Sequence, residues 1–254
     1  MAKILAITNQ KGGVGKTTTS VNLAASLAAA QRAVLLIDLD PQGNATTGSG
    51  VDKSQLSQTV YDVLLEQASL AEVRITTASH YDLIPANREL AGAEVELVGM
   101  PQREKHLKKA LLEIEAEYDF VLIDCPPALN LLTINGLCAA HAVLIPMQCE
   151  YYALEGLSDL VQTIKRVREN LNPDIEIEGL LRTMFDPRNA LSQQVSSQLQ
   201  HHFGAKVYNT IIPRNIRLAE APSYGTPVLK HDRTSKGAQA YLALADEMLE
   251  RTAP

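Results

Sequence analysis

The densest chemistry in the sequence lies in Lys11-Gly12-Gly13-Val14-Gly15-Lys16-Thr17-Thr18. Three glycines let a backbone wrap an anion with no Cβ in the way, and glycine takes the positive φ such a wrap demands. A lysine and a hydroxyl follow, the pair that meets β/γ-phosphate oxygens and a magnesium ion. Carboxylates belong with them. Asp124 ends the apolar run Phe120-Val121-Leu122-Ile123, and Asp38 and Asp40 stand in Leu36-Ile37-Asp38-Leu39-Asp40-Pro41-Gln42-Gly43-Asn44. Magnesium keeps most of its waters and needs only one or two carboxylates. Thr17, Asp38 and Asp124 are therefore the metal candidates, with Asp124 acting through water. Residues i and i+2 of an extended segment point the same way, so one of Asp38 and Asp40 can face the metal shell and the other an attacking water. Strand-end aspartates also cap the turn that follows them, and the sequence leaves both roles open.

For these groups to converge, the elements must bring them to one edge. The glycine loop follows Ile4-Leu5-Ala6-Ile7 and precedes an alanine-rich helical stretch, 16–30. Strand, turn and helix in that order aim loop N–H groups and a helix N-terminus at one anion. Residues 3–8 and 81–84 read as strands, and the runs at 4–7, 34–37, 120–123 and 142–145 are continuously apolar, which implies strands buried on both faces in a parallel sheet. Helical periods occupy 59–66, 69–73, 87–98, 101–117, 153–171, 190–203 and about 237–250, while 38–50 reads as a polar loop. Strand-like stretches at 175–181 and Val207-Tyr208 continue the alternation. The fold class is α/β: a mostly parallel sheet flanked by helices, expected as a single domain over 1–254, since no repeat or linker interrupts it. Ligands of open parallel sheets sit beyond the carboxyl ends of the strands. The glycine loop, Asp38, Asp40 and Asp124 all fall there.

The composition, 46% hydrophobic and 20% charged without tryptophan, is that of a globular chain. It contains no apolar run of about 18 residues, so no membrane-spanning helix is expected, and its start does not read as a signal peptide. Cys125, Cys138 and Cys149 have no metal-type spacing and read as reduced core thiols of a cytosolic protein. The net charge of −6 argues against a chain-wide nucleic-acid coat, yet residues 179–241 carry 8 Lys/Arg against 3 Asp/Glu. Such a local excess can form a nucleic-acid-facing patch; an ordinary solvated face is the plainer reading.

The loop also departs from the standard pattern G-x-x-x-x-G-K-[ST], which wants glycine where Gln10 stands. A second lysine, Lys11, sits beside it, where it would point away from its own phosphate pocket and could reach a nucleotide on a facing subunit. With Asp38–Asn44, Asp124-Cys125-Pro126-Pro127 and the signature IPRNIRLAEAPSYG at 212–225, the chain resembles the deviant Walker A P-loop ATPases. Within these it resembles the ParA/Soj chromosome-partitioning ATPases over essentially its whole length. The resemblance implies ATP and Mg²⁺ as cofactors, a face-to-face homodimer driven by ATP, and weak intrinsic ATP hydrolysis. It further implies binding of the ATP dimer to double-stranded DNA without sequence preference, and release by a ParB-type centromere-binding protein, in a cytoplasmic, nucleoid-associated setting. Lys11 would be the signature lysine crossing to the partner's phosphates, Lys16 the phosphate lysine, and Asp40 the residue positioning the water. Gly12, Gly13, Val14, Gly15, Thr17 and Thr18 complete the nucleotide contacts, with Pro213 and Asn215 matching the segment that holds the adenine. Arg188 and Arg217 match DNA-contacting arginines, and Lys230, Arg233 and Lys236 extend that face.

The departures narrow the branch. The C-terminal stretch is acidic, not a basic amphipathic helix of the MinD type, so no membrane partner is expected. The cysteines do not suit the cluster of nitrogenase-type iron proteins. With a phosphate loop within the first dozen residues, no N-terminal helix-turn-helix and no sequence-specific operator binding are expected. Arg182 stands where the family pattern implies an apolar residue, and either adds to the basic face or pairs locally. Two rivals remain: a positioning ATPase of the same fold with a different adaptor, and a metabolic enzyme transferring phosphate to a small molecule. The second predicts a substrate pocket and no DNA binding.

Overall fold

In a computed structural model, which describes residues 2–252, the apolar runs pair as expected. The strands are β1 (Lys3–Ile7), β2 (Val34–Asp38), β3 (Ile75–Thr76), β4 (Asp82–Ile84), β5 (Phe120–Asp124), β6 (Ala142–Gln148), β7 (Glu176–Phe185) and β8 (Val207–Pro213). They form one sheet in the order β3-β4-β2-β5-β1-β6-β7-β8. All neighbours are parallel except β3 and β4. Every residue of β2 and β5 is buried, which is why these runs do not alternate. The register sets Ile7 beside Asp124 and Asp124 beside Asp38, so three strand ends finish level.

Two apolar layers cover the sheet. Helices Lys16–Ala29 and Lys236–Thr252 pack Leu23, Leu27, Tyr241 and Leu244 onto Leu5, Ile7, Leu36 and Leu122. On the other face Leu137, Leu160 and Leu199, from helices Leu131–Ala139, Ala153–Asn170 and Ala190–Phe203, join Ile4, Ile37, Val121 and Ile123. Truncating one such leucine to alanine costs roughly 2–5 kcal/mol, so the sheet is a rigid base for its loops.

Several boundaries differ from the sequence reading. The stretch 101–117 holds only a helix His106–Leu111 and a 3₁₀ turn Glu115–Glu117. The His106 ring lies between the carbonyls of Leu64 and Pro101, at 2.8 and 3.0 Å, which ties 101–105 into a turn. The stretch 87–98 contracts to Leu90–Glu96 followed by 3₁₀ Leu97–Gly99, and the supposed loop 38–50 contains a helix Asn44–Gly48. β7 and β8 run on to Phe185 and Pro213, and the two-residue β3 was not legible as a strand. Cys125, Cys138 and Cys149 are free and buried. Among the described residues no helix is long and apolar enough to cross a membrane.

Candidate active site

The glycine loop joins β1 to helix Lys16–Ala29. Gly13 (φ 73°) and Gly15 (φ 89°) take left-handed conformations that a side chain would strain. Gly15 is the N-cap, no side chain caps the helix, and its first turn carries no acid. The free amides and the helix dipole therefore await an external anion. Lys16 is 7% exposed, and its Nζ donates inward to the Lys11 carbonyl at 3.1 Å. Burial lowers its pKa, opposed by the charges of Asp124 and Asp40. The loop is pinned from outside: Thr183 Oγ1 of β7 donates to the Val14 carbonyl at 2.7 Å. The Lys11 amide donates to Asn9 Oδ1 at 3.0 Å, while Asn9 Nδ2 reaches the Pro146 carbonyl at 2.8 Å.

Asp38 and Asp124 face each other across β2 and β5 and are fully buried. Asp38 is well served: Oδ2 accepts from the Thr46 amide (2.8 Å) and hydroxyl (2.7 Å), and Oδ1 from the Asp40 amide (3.1 Å). It thereby anchors the segment Asp40–Thr46 to the strand end. Asp124 Oδ1 accepts from Ser20 Oγ at 2.8 Å, and its Oδ2 is buried with no partner. Burial, then the charge of Asp38, pushes the Asp124 carboxyl well above the usual carboxylate range. Burial also raises Asp38, against the donors of Thr46. Three donors serve Asp38, whereas only the hydroxyls of Ser20 and Thr17 oppose the rise on Asp124, so Asp124 is the more strongly raised of the two. An orphaned carboxylate oxygen at the end of a strand beside the phosphate loop fits a hydrated divalent cation, whose charge would reverse the shift. Thr17 and Asp40 are partly exposed along the same edge, and Asp40 Oδ1 accepts from the Gln42 amide at 2.9 Å.

Beside the loop lies a cavity of about 190 Å³ lined by Gly15, Thr18, Met184, Pro213, Asn215 and Tyr241, among others. Its lining is mostly apolar, with Thr18, Asn215 and Tyr241 among its polar-bearing side chains. Asn215 Oδ1 caps the helix Ile216–Glu220 through the amides of Arg217 (3.0 Å) and Leu218 (3.3 Å), which leaves its Nδ2 as a donor. Sequence reasoning reached Pro213 and Asn215 but missed Ser20, Thr46, Thr183, Met184 and Tyr241. Ser20 sits one helical turn from Lys16, a spacing the sequence carried. Nothing in the sequence marks Thr183, whose place depends on the β6–β7 pairing.

Lys11 is the outlier of the loop. It is exposed, and its Nζ lies 2.5 Å from Glu150 Oε2 beyond the end of β6. Tyr151 and Tyr152, 74% and 69% exposed, follow Glu150 on the same edge. The basic candidates lie on separate short elements. Arg188 is 88% exposed and fixed to Asp186 at 2.9 Å; its bonds, with Arg214 contributing, hold that carboxyl down at about 2. Arg217 pairs with Glu220 at 2.8 Å and Asp232 at 3.4 Å. Lys230, Arg233 and Lys236 are exposed between the helix Val228–His231 and the start of the last helix. Arg182 fits neither expectation. It is 4% exposed, donates to Ser196 and to two backbone carbonyls, and has no carboxylate within ion-pair distance among the described residues.

A protein-family profile described as an AAA domain matches residues 2–177. The sporulation initiation inhibitor protein Soj of Bacillus subtilis is 55% identical over 249 residues, covering 98% of this chain and 98% of that protein. The chromosome partitioning protein ParA of Caulobacter vibrioides is 52% identical over 252 residues, covering 98% and 94%. Among solved structures, one described as cobyrinic acid a,c-diamide synthase from Mycobacterium smegmatis, with bound ATP analog and magnesium, superposes with a TM-score of 0.87. It is 39% identical and covers 99% of this chain and 96% of that one.

Proposed function

The chain belongs to the ParA/Soj family of chromosome-partitioning ATPases, and from that premise we propose that it is a DNA-segregation ATPase switched by ATP binding. ATP with Mg²⁺ closes two copies face to face, the closed dimer holds double-stranded DNA without regard to sequence, and hydrolysis to ADP and phosphate opens it. Turnover is slow until a ParB-type centromere-binding protein engages the dimer. The protein works in the cytoplasm on the nucleoid.

The observation that carries this reading is the divergence of the two loop lysines. Lys16 Nζ turns into its own loop, whereas Lys11 Nζ is held outside it on Glu150. A cation that cannot serve its own anion seat is available to another. In phosphoryl transfer such positive charge stabilises the spread negative charge of the transition state. Gly12, Gly13, Val14, Gly15 and Thr18 wrap the phosphates, and Pro213 and Asn215 hold the base. Thr17 and the unpartnered oxygen of Asp124 would hold the metal, with Asp38 as a buried neighbouring charge. Magnesium, when bound, neutralises and orients the phosphate oxygens. Asp40, tethered by Gln42 on a segment anchored to Asp38, orients the attacking water. Arg188, Arg217, Lys230, Arg233 and Lys236 form the DNA face. A positioning ATPase would share all of this but replace the ParB-type partner by another adaptor.

Analytical ultracentrifugation with ATP, beside a DNA-binding assay at two salt concentrations, tests the scheme. The wild type should dimerise and bind DNA with strong salt dependence. Lys11→Ala should bind ATP yet stay monomeric, and Asp40→Ala should persist as a DNA-bound dimer. Normal dimerisation and turnover in Lys11→Ala would refute the shared site.

A further inference from the structure

The edge strand that carries the base cavity is out of step with its neighbour. Leu180 of β7 lies opposite Val207 of β8, but Arg182 lies opposite Ile211, so Tyr208–Thr210 swell out of the ladder, and a second shift before Phe185, which lies opposite Pro213, takes back part of the offset. A bulge strands peptide groups, and each buried one must find another partner. Two side chains provide them. Arg182, steadied by Ser196 Oγ at 2.8 Å, donates from Nη2 to the carbonyls of Tyr208 (2.7 Å) and Asn209 (3.2 Å). Glu247 of the last helix accepts the amides of Asn209 and Thr210, one on each carboxylate oxygen, both at 2.8 Å. Arg251 pairs with Glu247 at 2.7 Å, donates to the Val207 carbonyl at 3.0 Å, and lies 4.0 Å over the Tyr208 ring. Gly179 permits the approach, since a Cβ there would come within 2.6 Å of that ring.

A guanidinium that is 4% exposed, lacks a carboxylate partner among the described residues and has an unpartnered Nε is a costly way to fill a core position. An apolar side chain would fill it at less cost, but would leave the bulge carbonyls unbonded. We propose that Arg182 and Glu247 are positioning residues for the nucleotide base. By holding the bulge from both sides they set where β8 ends, and so where Pro213 and Asn215 stand against Gly15 and Thr18. The next residue of β7 completes the arrangement: Thr183 bonds the phosphate loop while Arg182 bonds the base strand. Two successive residues thus fix the two walls of one cavity. This inference rests on the reading of Pro213–Asn215 as the base site.

Titrating ATP and inorganic tripolyphosphate, each with magnesium, separates positioning from plain stability. Arg182→Met should weaken ATP binding about ten-fold, the worth of roughly one hydrogen bond, and leave tripolyphosphate affinity and saturated kcat unchanged. Arg182→Lys, which keeps a donor, should recover part of the loss. Equal loss for both ligands, or no loss for ATP, overturns the proposal. Should Arg182→Met not fold, Glu247→Gln carries the same test, since its amide group opposes one of the two N–H donors. There too, a selective loss for ATP supports the proposal and an equal loss overturns it. Asn215→Ala distinguishes the premise. A selective ATP loss there with none in Arg182→Met overturns the clamp alone, whereas no loss in Asn215→Ala overturns the base site on which it stands.

Discussion

Replacing Asp124 by Asn should abolish a proton release that otherwise accompanies nucleotide binding. Asp38 and Asp124 are fully buried on adjacent strand ends, and both carboxyls are raised by burial. Asp124, whose Oδ2 has no partner, is raised further than Asp38, which three donors serve, so Asp124 is expected to carry the shared proton in the free protein. A divalent cation taken up at that oxygen expels it. The stoichiometry should approach about one proton per nucleotide near neutral pH, because two facing carboxyls share only one. While Asp124 remains protonated in the free protein, affinity should climb about ten-fold per pH unit, or about 1.4 kcal/mol. Calorimetric titration with magnesium-saturated nucleotide, in buffers of different ionisation enthalpy, reads the proton count from the slope. Asp124→Asn should bring the slope close to zero, and an unchanged slope would refute the argument. The same shifts act on folding. A carboxyl whose folded-state pKa is raised contributes its stability fully below the unfolded value of about 4, and loses it as pH rises through the folded value. Asp124→Asn should therefore flatten the stability–pH profile of the free protein between about pH 4 and about 8.

Two further substitutions probe the loop and the basic face. Thr183→Val leaves the buried Val14 carbonyl without its donor and should cost about 1–3 kcal/mol in urea denaturation, with weaker nucleotide binding; unchanged values in both would show that β7 does not brace the loop. Arg217→Glu should abolish DNA binding at low salt while sparing ATP-dependent dimerisation. Glu220→Gln, which frees Arg217 from its 2.8 Å partner, should tighten DNA binding, and an unaltered affinity in both variants would misplace the face.

What the sequence disclosed and what it hid divide along physical lines. β2 and β5 were legible because burial on both faces leaves an uninterrupted apolar run, and the phosphate loop because its glycines and lysine are contiguous. The length of β8 was not legible. Only Val207-Tyr208 reads as apolar strand, since Asn209 and Thr210 belong to a bulge satisfied by Arg182 and Glu247 from distant parts of the chain. The helix Asn44–Gly48 was hidden for a similar reason. Its sequence is weakly helical by propensity, and it is held in place by Asp38 through Thr46. Arg182 was visible as an oddity, but its burial depends on the pairing of β7 with β8.

Gly15, the uncapped start of the central helix, has a consequence for anyone who would engineer this chain. A serine or aspartate there is the remedy a protein engineer applies to a bare helix end, worth about 1 kcal/mol at an ordinary position. Here the left-handed backbone rejects it, and a side-chain oxygen on those amides would occupy the phosphate's seat. The backbone that refuses the cap is thus also what keeps these N–H groups free for an anion. A screen for more robust variants should leave Gly15 unchanged with or without nucleotide, and gains in stability should come from positions away from this helix end.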